Sequence, residues 1–138
     1  MYRHILLSYD GSEHAQKAAE RAAELASALG AHVTIVTAYP TSPSFIIGAT
    51  SISDEEMRAY WIAKADELDD VFASRNISIH KIVKAADPKN LILDTAEELE
   101  VDVIVIGSRG LSNYARFMLG GVSQSVTQHA HCDVIVVK

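Results

Sequence analysis

The chain has 138 residues, 49% hydrophobic and 22% charged, which is enough apolar material for one compact core and predicts a single domain over residues 1–138. With 12 basic against 18 acidic residues the formal charge is −6, which argues against nucleic-acid and anionic-membrane partners, whose binders carry basic stripes. The single cysteine, Cys132, excludes an internal disulfide and a multi-cysteine zinc site; with no signal-like N-terminus and no run of about 20 apolar residues, a soluble cytoplasmic protein is expected.

Short apolar runs alternate with longer amphipathic stretches, the pattern of βαβ units around a parallel sheet, and predict five strands and four helices. Residues 4–9 form the first strand and lead into Asp10-Gly11-Ser12, where Ser12 caps a helix with the apolar stripe Ala15, Ala18, Ala19, Ala22, Leu25, Ala26 and Leu29. Gly30 stops that helix, and its alanines predict close approach to the sheet. The second strand covers residues 32–38. Residues 41–53 mix Pro, Ser and Gly with the apolar patch Phe45-Ile46-Ile47; they follow neither period and are read as a loop, the patch being a lid or a packing element.

Ser53-x-x-Glu56 is a capping box, flanked by Ile52 and Met57 at staple positions, and opens one helix carrying Met57, Trp61, Ala65, Leu68 and Phe72 on one side. The third strand, residues 77–84, alternates apolar residues with lysines and histidine, which places it at the sheet margin. Asp87-Pro88 supplies an N-cap and a first-turn proline for a helix burying Leu91, Ile92, Thr95, Ala96 and Leu99. The continuous apolar run 101–106 predicts a central strand covered on both faces. A glycine-punctuated loop, residues 107–121 with a helical turn near 114–118, precedes a helix over about 122–130, and residues 132–137 close the chain as a strand.

Packing does not explain two strand ends, Asp10-Gly11-Ser12 and Gly107-Ser108-Arg109-Gly110. If their strands are neighbours where the strand order reverses, both flank the crevice in which open α/β sheets bind ligands. Nine residues after Gly110, the run Gly120-Gly121-Val122-Ser123 opens a helix. Backbone N–H groups there, unshielded at glycine, form an anion cradle suited to phosphate, with the Ser123 hydroxyl as an added donor and Arg109 and Arg116 as candidate contacts.

The spacing Gly107-x2-Gly110-x9-Gly120 resembles the nucleotide-binding motif of the universal stress protein family. The resemblance runs on through Asp10-Gly11-Ser12, Asp87-Pro88, the segment 106–110 and His129-Ala130-His131-Cys132. It implies an α/β fold of the adenine nucleotide alpha hydrolase-like kind: an open five-stranded parallel sheet in the order 3-2-1-4-5, with helices on both faces. It further implies homodimerisation and ATP binding, with Mg²⁺ as an optional companion of the phosphates. By the same resemblance Asp10 faces the adenosine and Ala38 offers its backbone to adenine. The implied ATP site is Asp10, Ala38, Gly107, Arg109, Gly110, Gly120, Gly121, Val122 and Ser123. One departure stands out: the family pattern has Ser or Thr after the third glycine, where this chain has Gly121. Loss of that hydroxyl contact costs about 0.5–1.5 kcal/mol, or up to about tenfold in affinity. The implied order also leaves the apolar strand Val134-Ile135-Val136-Val137 at an open edge, which predicts a homodimer through it.

Other nucleotide chemistries lack their residues. No glycine precedes a lysine as in a Walker A loop, and no Gly-x-Gly-x-x-Gly fingerprint occurs. The first turn lacks the Ser-Gly-Gly-x-Asp-Ser of the related pyrophosphatases, and Tyr9 and Gly11 stand where a phosphorelay receiver needs a second acidic residue. Ser123 follows a loop, where a hydrolase nucleophile elbow needs a strand, and His129, His131 and Cys132 share no face for a metal. The leading expectation is a binding module that holds ATP as a structural or regulatory ligand, with an unidentified downstream protein partner. With no evident general base, any hydrolysis is slow. The alternatives are a slow ATP hydrolase or phosphotransferase that uses Asp10 to position metal or water, and a nucleotide-free dimeric scaffold.

Overall fold

The structure, a computed structural model, describes residues 1–40, 46–47, 50–51, 53–109 and 120–138. Five strands, β1 (His4–Ser8), β2 (His32–Tyr39), β3 (Ile79–Ala85), β4 (Val103–Gly107) and β5 (Asp133–Val137), pair in parallel in the order β3-β2-β1-β4-β5. The lysine-bearing strand is thus at one edge and the valine-rich last strand at the other. The order reverses between β1 and β4, so the two crossovers leave on opposite faces and open a crevice above the strand ends.

Helix α1 (Glu13–Leu29) begins where the Ser12 hydroxyl accepts the Ala15 N–H at 3.1 Å and ends at Gly30, which adopts φ 67°. Its buried residues are all alanine: Ala15, Ala18, Ala19, Ala22, Ala23 and Ala26. They pack on Ile5, Leu7, Val33, Ile35, Val103 and Val105 on one sheet face, and Ala23 makes the stripe broader than the periodicity suggested. Helices α2 (Asp54–Asp66) and α3 (Asp69–Ala73) cover the β2 and β3 side of the molecule, and Leu68 and Phe72 join the same core. On the opposite face α4 (Pro88–Glu98) and α5 (Gly121–His129) cover Leu6, Val36, Ile104 and Ile106.

Three expectations need correction. The single helix predicted after Ser53 is two, although Met57, Trp61, Ala65, Leu68 and Phe72 are all buried as expected. Around Glu67 and Leu68 the backbone N–H groups bond to carbonyls three residues back, Glu67 to Lys64 at 3.3 Å and Leu68 to Ala65 at 3.1 Å, and this tighter turn interrupts the α register. Lys81 of β3 spans the break, with Nζ 2.6 Å from both Asp66 and Asp69. Leu99, predicted to be buried, is exposed because it forms the C-cap of α4, where the chain swings toward β4. Within the stretch read as a loop, Ile46–Ile47 pairs antiparallel with Thr50–Ser51. Phe45, Ile52, the turn expected at 114–118 and Arg116 lie outside the described residues.

At the N-terminal end of the sheet the His4 and His32 rings stack with centroids 4.0 Å apart, and His4 Nε2 lies 2.7 Å from Thr34 Oγ1. The Asp102 carboxylate accepts the N–H groups of Arg3 and His4 at 2.8 and 2.9 Å. Among the described residues no helix is long and apolar enough to cross a membrane.

Candidate functional site

The chain leaves β1 through a side-chain-stabilised turn: Asp10 Oδ1 accepts the Ser12 N–H at 2.9 Å, and Gly11 adopts φ 81°. The last link between β1 and β2 is Tyr9 N–H to the Val36 carbonyl at 3.0 Å, reinforced by the Thr37 hydroxyl on the Tyr9 carbonyl at 2.8 Å. Beyond it β2 runs on to Tyr39 alone on that side. The N–H and C=O of Ala38 point the same way as those of Val36, so they face the space that β1 has vacated. Burial, and then the carboxylates of Glu67 and Asp10, push the Tyr9 phenol above its ordinary range. It therefore stays protonated and donates to Gln16 Oε1 at 3.0 Å.

The end of β4 is pressed against α1. A Cβ on Gly107 would lie 2.8 Å from the His14 carbonyl carbon and 2.9 Å from its Cβ, so only glycine fits this approach. Ser108 is then held at three points. Its N–H donates to the Val137 carbonyl at 2.7 Å, its carbonyl accepts the Gly120 N–H at 2.7 Å, and its hydroxyl lies 3.2 Å from His14 Nδ1. Gly120 is the N-cap of α5 and brings no side chain to the helix end. The first N–H with a partner is that of Gln124, on the Gly120 carbonyl at 2.9 Å; among the described residues those of Gly121, Val122 and Ser123 have none. The Ser123 hydroxyl, expected as an added phosphate donor, is buried and gives its proton to the Gly107 carbonyl at 2.5 Å. Ser123 thus offers the site its backbone N–H and braces α5 with its side chain.

These strand and helix ends enclose a cleft of about 280 Å³. Of the predicted site residues, Asp10, Ala38, Gly107, Arg109, Gly120, Gly121, Val122 and Ser123 line it together, and Gly110 lies outside the described residues. Sequence reasoning missed the apolar walls, above all Pro88 and Ile92 of α4, although the Asp87-Pro88 helix start was visible; it also missed His14, which carries no local signal, and the bracing role of Ser108 within the strand end 107–110. Among the described residues the cleft combines a donor-rich backbone turn, apolar walls, one carboxylate and one guanidinium, a set that suits a flat, largely apolar body with an anionic group at one end. Among the described residues no three His, Cys, Asp or Glu side chains converge as a metal site.

The model of the universal stress protein family matches residues 1–138. A universal stress protein of Thermus aquaticus is 32% identical over 138 residues, covering 100% of both chains. The chain belongs to the universal stress protein family. Among solved structures, a universal stress protein in complex with cAMP superposes with a TM-score of 0.77 at 26% identity, over 99% of this chain and 96% of the other. The universal stress protein of Archaeoglobus fulgidus in complex with dAMP gives a TM-score of 0.75 at 25% identity, over 99% and 98%. In the present universal stress protein the position of the missing Ser or Thr is open: Gly121 is exposed, and a Cβ there would meet nothing within 4 Å.

Proposed function

We propose that this universal stress protein is a cytoplasmic stress-response module of one domain that holds an adenine nucleotide, ATP foremost and with Mg²⁺ as an optional companion, as a structural or regulatory ligand in a homodimer. The observation that carries this reading is the N-terminus of α5, which has no side-chain cap and whose N–H groups at Gly121, Val122 and Ser123, without a partner among the described residues, open into a cleft beside an apolar wall. Phosphate sits on those groups and on the adjoining residues Gly107, Ser108 and Arg109, with Gly110 of the motif as a further contact, and the nucleoside extends past Asp10 toward the backbone of Ala38. The cAMP and dAMP complexes of two relatives support an adenine nucleotide and bring monophosphates into the comparison. Asp10, the one carboxylate lining the cleft among the described residues, already has an oxygen committed to the Ser12 N–H, which favours holding the nucleotide over turning it over.

The test is mass spectrometry of nucleotide released from freshly purified protein, followed by calorimetric titration of the stripped protein with ATP, ADP, AMP and cAMP. Recovered adenine nucleotide and rebinding that disappears in a folded Gly120→Val variant are expected. Prompt production of ADP, lost in Asp10→Asn, would instead favour a hydrolase or phosphotransferase. No nucleotide and no heat would leave a dimeric scaffold.

A further inference from the structure

His14 and Ser108 do not line the cleft, yet they join two of its walls. They lie 94 positions apart in sequence, and both are at least half-buried. The His14 backbone packs on Gly107, the last residue of β4, and its ring nitrogen Nδ1 meets the Ser108 hydroxyl. The Ser108 carbonyl in turn holds the N–H of Gly120, the residue that starts α5. A continuous line of contacts therefore runs from the first turn of α1 through Ser108 to the turn whose N–H groups face the cleft. With no side-chain cap at this helix end, the backbone bond of Gly120 to Ser108 sets where the first turn begins, beside the Ser123 hydroxyl that braces the helix on Gly107.

We propose that His14 is a positioning residue for the anion-binding turn: by holding the Ser108 hydroxyl it fixes the carbonyl that orients Gly120, and so aims the N–H groups of Gly121, Val122 and Ser123. The proposal rests on the reading that this turn receives the phosphate of a nucleotide. It predicts an effect specific to the phosphate end. A misdirected donor turn weakens contact with the anion and leaves the base and ribose contacts as they were.

The test uses the full chain with His14→Ala, Ser108→Ala and His14→Asn, the last because an asparagine amide can place a hydrogen-bonding atom near the position of Nδ1. Titrations with AMP, ATP and adenosine read affinity, and the Gly120 amide in a ¹⁵N-labelled sample reads the turn directly. The expected result is a loss of about fivefold to tenfold in AMP and ATP affinity for both alanine variants, a change of less than about twofold for adenosine, and recovery in His14→Asn. The Gly120 amide resonance should move and exchange faster in the alanine variants and return in His14→Asn. Equal losses for adenosine and AMP, or an unmoved Gly120 amide in folded His14→Ala and Ser108→Ala, would overturn the proposal. If the unmodified chain binds no nucleotide, the functional reading fails, and the Gly120 amide still decides whether His14 sets the turn.

Discussion

The residue that departs from the family pattern is also the easiest to restore. Gly121 sits at the first position of α5, is exposed, and has open space where a Cβ would stand. Gly121→Ser should fold without strain and should raise nucleotide affinity by up to about tenfold, the worth of one hydrogen bond to phosphate, as measured by calorimetry beside the parent chain. At the opposite end of the sheet, His4 is held below its ordinary range, first by burial and then by the neighbouring His32, against the pull of Asp102. The folded state therefore resists a proton that the unfolded chain accepts. Above about pH 6.5 both states are neutral at this residue; as pH falls below that value the unfolded chain binds more protons and stability is lost. Asp102, held low by the N–H groups of Arg3 and His4, adds a loss in the same direction at still lower pH, below about 4. Thermal unfolding from pH 7.5 to 5 should show a falling midpoint, and His4→Gln should flatten that slope.

At the scale of elements, local capping chemistry does much to position the cleft. Asp87 accepts the Asn90 N–H at 3.2 Å and starts α4, whose Pro88 and Ile92 form part of the wall. Asp87→Ala should cost about 1 kcal/mol and lower the denaturation midpoint in urea, with an unchanged slope showing that the native fold persists. Such elements were legible in the sequence because their signals are contiguous: Ser12 and Gly30 bracket α1, Ser53 opens α2, and the unbroken run before Gly107 marks a doubly covered strand. The break after Asp66 was not, because no glycine or proline marks it; it follows a tightened turn and is bridged by Lys81 from a strand outside the helix. The glycines of the candidate site were legible by spacing, but their separate duties were not. Gly107 makes room for His14 and Gly120 leaves a helix end open, and only the packed structure tells these apart.

For the molecule as a whole, the valine-rich edge is where the proposed second copy would pair. The Val137 carbonyl points inward to Ser108, so along β5 the backbone groups of Ile135 and Val137 face β4 while those of Val134 and Val136 face outward. Val136→Pro removes one outward donor and spares the β4 ladder. It should convert the proposed dimer to a monomer in light scattering with little loss of secondary structure, whereas an unchanged dimer would place the interface elsewhere. The two sides of the cleft also differ in what they can yield. On one side α1 meets the sheet through methyl groups, and Gly107 meets the His14 backbone with no rotatable side chain between them. On the other, the start of α5 is secured by the Gly120 N–H and the Ser123 hydroxyl. The wall on the α1 side is therefore set by the thickness of a methyl group, and the wall on the α5 side by two hydrogen bonds.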